Sequence, residues 1–238
     1  MQGLWLALIA DVKASRDIPA RLRPRVDLAL KRAAARTLKR FDSHFRLAPQ
    51  VLRGDELQAV LRPDAPVLSI VTYVRAHFAL GVDHPAELRA GIGRGTIARL
   101  SPKGPFASDG EAFHRAREAL DHLKKRSQSA MTAWSSGDPL LDAMAATVLG
   151  LTDALASRWT RPQLEAIAGR LEDKGLHDIA QATGVRFQNV SKRLRAASWN
   201  EVHQAFRFLE AGVVLRDGGG PSRLLPISGE RRNSPSGG

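Results

Sequence analysis

The chain has 238 residues, with 36 Lys and Arg against 24 Asp and Glu for a net charge of +12, an excess that points to a polyanionic partner. It contains no cysteine, which excludes disulfides, thiolate metal sites and cysteine nucleophiles. A hydrophobic fraction of 43% supports a folded core, and the length suits one large or two modest domains.

Leu4 to Ala10 is a continuous apolar run ending at Asp11, the pattern of a strand buried on both faces. It is too short to span a bilayer and lacks the basic flank of a secretory signal, so the expectation is a cytoplasmic protein with no membrane partner. Arg25 to Phe41, opened by Pro24, predicts a helix with Val26, Leu30, Ala34 and Leu38 turned inward. Between Arg21 and Arg40 stand eight basic residues and one acid, Asp27. That stripe is either a solvated face or a second polyanion surface.

Segments 47–52 and 57–61 predict two strands of a hairpin around Gly54-Asp55-Glu56. Segment 66–80 predicts a helix stopped by Gly81, and 87–100 a strand broken by Gly91, Gly93 and Gly95. Segment 109–126 predicts an amphipathic helix, and 132–135 a last short strand. This order gives an α+β fold: a ferredoxin-like palm over residues 1–136 with its helices on one face. A connecting helix over 137–157 leads to a helical segment, 158–216. Residues 217–238 are rich in Gly, Pro, Ser and Arg, which predicts a disordered tail.

Asp11 at the end of the first strand and Asp55 at the hairpin tip converge if those strands are neighbours. Two carboxylates at close quarters suit a hard divalent cation, Mg or Mn, which could in turn hold phosphate oxygens. The competing reading is a turn cap at Asp11 and a solvated hairpin at Asp55. The glycine run at 91, 93 and 95 either admits a phosphate or marks a bulged strand.

The motifs Ala10-Asp11-x-x-x-Ser15-Arg16, Gly54-Asp55-Glu56-Leu57-Gln58, Gly91-Ile92-Gly93-x-Gly95 and Asp109-Gly110-x-Ala112-Phe113-His114-x-Ala116-Arg117, in this order, resemble the SatD family over residues 4–135. That family is similar in turn to the palm domains of class III nucleotidyl cyclases and GGDEF diguanylate cyclases. The resemblance implies Asp11 and Asp55 as metal ligands. It further implies a nucleotide site at Val12, Lys13, Ser15, Arg16, Gly54 and Arg117. Cyclases build their site between two palms, so a homodimer is also implied.

Residues 171–196 read as a helix-turn-helix, similar to the fourth-region motif of sigma factors. Ile179 and Ala180 face inward, Gly184 supplies the turn and Val185 plugs the corner. Val190 and Leu194 hold the second helix down. Arg186, Gln188, Asn189, Ser191, Lys192, Arg193 and Arg195 are then expected to face outward, an acid-free set suited to a DNA groove. The competing reading is a plain helical subdomain with a basic face. Together these motifs predict a DNA-binding regulator with a metal- and nucleotide-binding palm. The alternative is a nucleotidyl cyclase or nucleotidyltransferase that uses Asp11 and Asp55.

Overall fold

The computed structural model describes residues 3–52, 54–83, 86–125 and 130–216, with backbone alone for 214–216. The tail expected over 217–238 lies outside the described residues. β1 (Trp5–Val12), α1 (Arg23–Phe41), β2 (Phe45–Leu52), β3 (Glu56–Leu61), α2 (Val67–Gly81) and β4 (Leu88–Gly95) form a βαββαβ unit. α3 (Glu111–Lys125) and β5 (Thr132–Ser135) extend it. The sheet order is β2-β3-β1-β4-β5. The first four strands are antiparallel neighbours and β5 runs parallel to β4, so the core has the ferredoxin-like arrangement with one added strand.

β1 is apolar at every position before Asp11 because both its faces are covered. Leu6, Leu8, Ala10 and Val12 join the core under α1 and α2. Ala7 and Ile9 join a second core with Phe113, Ala116 and Leu120 of α3. The expectation of helices on one face is therefore corrected: α3 lies on the opposite face from α1 and α2. β2 is an edge strand whose residues alternate between half-buried and exposed, and such a strand tolerates Pro49.

The glycine run explains how α3 sits. A Cβ at Gly91 would lie 2.2 Å from the Ala116 carbonyl oxygen, and one at Gly93 would lie 2.1 Å from that of Ala112. The glycines and the facing alanines let helix and strand backbones approach closely. β4 is neither broken nor bulged, since its pairing with β1 runs without a shift from Gly95 to Leu88. No space remains there for a phosphate.

α1 buries a broader stripe than a spacing of four predicts, with Ala29, Ala33 and Thr37 added to Val26, Leu30 and Ala34, while Leu38 is only half-buried. α4 (Pro139–Ala156) is tied to β5 by Asp153, which accepts from the Met131 and Thr132 N–H groups at 2.8 and 2.7 Å. Arg75 of α2 reaches the same corner, donating to Leu88 O and Thr132 Oγ1, each at 2.8 Å.

The remaining helices are α5 (Arg161–Leu171), α6 (Leu176–Thr183), α7 (Phe187–Ala196) and α8 (Trp199–Arg216). They share one continuous apolar core with α1 and α2. Polar ties cross the same seam. Arg40 donates to Leu171 O at 2.8 Å and pairs with Asp173, Arg161 donates to Leu80 O at 2.5 Å, and Tyr73 Oη donates to Glu172 at 2.8 Å.

Candidate functional site

At the end of β1 the chain turns through Ala14 in a left-handed conformation, φ +53°. The Val12 N–H donates to Asp55 O at 2.9 Å, which fixes the β2–β3 turn beside the end of β1. Gly54, at φ +81°, makes that turn. The result is a cleft of about 530 Å³ lined by Asp11, Val12, Ser15, Arg16, Asp55 and Glu56, with Arg89 and Lys124 at its side. Asp11 and Asp55 are thus brought together, as the sequence predicts.

Their surroundings differ from the prediction. Asp11 pairs in register with Glu56 on one side and Arg89 on the other. Arg89 Nε donates to Asp11 Oδ1 at 3.1 Å and Nη2 to Oδ2 at 3.4 Å. Lys124 Nζ of α3 stands 3.3 Å from Oδ2. Asp55 Oδ2 accepts from Ser15 Oγ at 3.0 Å. Glu56 receives both forks of Arg117, each at 2.7 Å. Burial alone would raise the Glu56 carboxyl, but hydrogen bonds from Arg117 and Gln58 outweigh it and hold the group below its usual range. The hydrogen bonds that Arg117 donates to Glu56 push its guanidinium upward.

A divalent ion does not fit this donor set as folded. Both Asp11 oxygens face protein cations, and a metal would have to displace them, leaving Arg89 without its carboxylate and Lys124 with Asp121 alone. Among the described residues, no cluster of three His, Asp or Glu could hold a metal.

The other residues expected at a nucleotide site divide into three groups. Val12, Ser15 and Arg16 line the cleft. Gly54 lines a neighbouring cavity of about 410 Å³, which shares Ser15, Arg16 and Asp55 with the cleft and adds Arg23, Pro24 and Asp27. Lys13 pairs with Glu87 at 2.7 Å, and Arg117 is turned onto Glu56. The residues that decide the charge of the site and that sequence reasoning missed are Glu56, Arg89 and Lys124. Their signal is register: the side chains of Ala7, Ile9 and Asp11 share one face of β1, and Arg117 and Lys124 lie two turns apart on α3.

The second candidate surface is on α6 and α7. Val185 N–H donates to Ala180 O at 3.0 Å and Gly184 N–H to Gln181 O at 3.4 Å, with Gly184 at φ +66°. This is a Schellman ending, which turns the chain sharply into α7. Val190 and Leu194 are buried, while Arg186, Gln188, Asn189, Lys192 and Arg195 are exposed. Two expected outward residues are corrected. Ser191 and Arg193 are half-buried, and Arg193 turns toward Glu165 of α5 at 3.6 Å because its position falls on the side that packs there.

A five-stranded split βαβ sheet joined through one core to helices α4 to α8 defines an α+β protein. The SatD family model matches residues 5–204, so the chain belongs to the SatD family. The match extends past the palm through α5, α6 and α7, so those helices are part of what the family shares. No curated protein matches the chain. Among solved structures, two of a bacterial light-regulated adenylyl cyclase match at 12% and 11% identity, with TM-scores of 0.42 and 0.40. The first alignment covers 67% of this chain and 82% of that one; the second covers 56% and only 43%. A guanylyl cyclase matches at 12% identity, covering 51% of this chain and 73% of that one, at a TM-score of 0.38. A regulator of polyketide synthase expression from Bifidobacterium adolescentis matches at 16% identity over 90% and 81%, at a TM-score of 0.27.

Proposed function

We propose that this protein binds DNA through α6 and α7. The observation that carries the reading is the exposed face of α7. Gln188, Asn189, Lys192 and Arg195 form one stripe, with Arg186 at the N-cap and no acid among them. Amide side chains read base edges and cations hold phosphates, and a helix presented by a tight turn can enter a major groove. Titrating labelled duplexes at several salt concentrations tests it. Lys192→Ala and Arg195→Ala should each flatten the salt dependence by about one phosphate contact. Gln188→Ala or Asn189→Ala should relax sequence preference by about 1–3 kcal/mol. Unchanged binding in all four variants would remove the assignment.

A second reading is a nucleoside triphosphate or other nucleotide in the paired cavities beside Asp55. It is favoured by Arg16 and Arg23 in the cavity wall. Guanidiniums suit phosphate oxygens; Arg23 also donates Nε to Ile18 O and Nη2 to Arg16 O, each at 3.1 Å, so Arg16 is the cation that carries this reading. The cyclase or nucleotidyltransferase alternative would require Asp11 to leave Arg89 and Lys124, so binding without a metal is the form of this reading that the site favours. Calorimetry with each triphosphate, in chelator and in manganese, tests binding, and product analysis tests turnover. Heat in chelator that is lost in Arg16→Ala supports it. No heat under either condition ends it.

A further inference from the structure

The outer face of α4 is apolar and faces solvent. Leu140, Met144, Leu151 and Leu155 are 59%, 38%, 66% and 41% exposed. The helix contains no Lys, Arg or Glu, and its two acids point elsewhere. Asp142 accepts from Ser136 Oγ at 2.6 Å, and Asp153 is buried against β5. Such a helix normally carries charge on its wet side. α4 is long and apolar enough to cross a membrane by length and composition. Its inner face, with Leu141, Ala145, Leu149 and Thr152, is nevertheless built into the fold, so only the outer stripe is left to cover.

Two features of the stripe select its occupant. At about 100° per residue, the four large side chains lie along one edge, and Ala143, Ala146, Gly150 and Ala154 along the other. Nothing lies within 4 Å of where a Cβ on Gly150 would stand, so the small edge is open to a neighbouring backbone. The large residues are also placed symmetrically: 140 and 155, like 144 and 151, are equidistant from a midpoint between Thr147 and Val148. A second copy related by a two-fold axis at that midpoint runs antiparallel. It sets Leu140 against Leu155 of the second copy and Met144 against the second copy's Leu151, each contact occurring twice.

We propose that α4 is a homodimerisation helix that pairs antiparallel with α4 of a second copy. Covering the stripe removes ~1,000 Å² from water over both copies, the lower edge of specific interfaces. The dimer is therefore concentration-dependent, with dissociation on the order of micromolar.

Sedimentation of the full chain from ~1 to ~100 μM should show monomer passing into dimer. Leu151→Glu should stay monomeric with an unchanged thermal melt, because residue 151 contributes little to the monomer's core. The chain has no native cysteine, so Thr147→Cys should cross-link on oxidation across the two-fold. Leu140→Cys should not, since the two sulfurs would stand ~20 Å apart along the helices. A monomer at every concentration, a dimer that Leu151→Glu leaves intact, or cross-linking at 140 but not 147 would each overturn the proposal. Wild type that remains monomeric but floats with phospholipid vesicles would also overturn it and assign the stripe to a lipid surface.

Discussion

Asp11 stands in a row across three strands, between Glu56 and Arg89, with Arg117 and Lys124 of α3 closing over it. With Asp121, which shares Lys124 at 3.2 Å, three carboxylates meet three cations there, and the charge is balanced without a bound ion. Removing the cations should reverse the preference. Arg89→Ala with Lys124→Ala should raise Mn affinity at Asp11 tenfold or more over wild type, read by the loss of free-Mn electron paramagnetic resonance signal. Equal Mn uptake in both proteins would show that the pairing does not govern the site. The sequence places Asp11 and Asp55 at one end of the sheet because a hairpin tip and a strand end meet there. It does not place Arg89, 78 residues away, because that contact exists only once β4 is set beside β1 in a particular register.

At the scale of elements, β4 and α3 show where pattern reading succeeds and where it stops. Both elements are legible: the helix from its amphipathic period, the strand from its apolar residues. The three glycines suggest an interruption only because, within one strand, glycine's lost side chain looks like weakness. The gain lies on the helix, where Ala112 and Ala116 occupy the space the missing side chains leave. Gly93→Ala should cost ~3 kcal/mol, since its Cβ would meet the backbone at Ala112 O and Ala116 N. Gly212→Ala, where nothing lies within 4 Å, should instead gain ~0.5–1 kcal/mol through helix propensity. Urea melts of the two variants make the comparison, and a mild Gly93→Ala would refute the close-packing account. The same blindness to tertiary context placed Arg193 outward. Its charge suits the wet face, but its position on α7 meets Glu165.

Across the whole molecule, the C-terminal helices are fastened to the palm, and the attachment carries a titrating group. Glu210 of α8 receives the Leu68 N–H at 2.8 Å, so a side chain from one part of the chain caps the start of a helix in the other. Burial pushes its carboxyl up to about 8 against the lowering effect of the Leu68 and Ser69 N–H groups. The folded protein therefore holds this proton more tightly than the unfolded chain, whose carboxyl titrates near 4.5. The associated stability is fully present below pH 4.5 and is lost as the pH rises through about 8, about 4–5 kcal/mol by the upper end of that window. Glu56 runs the other way. Its lowered carboxyl adds stability above pH 4.5 that disappears as the pH falls through its folded value. Glu210→Gln keeps an acceptor for the Leu68 N–H and removes the titration. Thermal melts at pH 5 and pH 8.5 should show wild type losing several degrees more than the variant across that interval. Parallel losses would mean that the capping carboxyl titrates alike in the folded and unfolded chain. A loss confined to wild type would show that ionisation of one half-buried acid loosens the seam between the palm and the helices that carry α7.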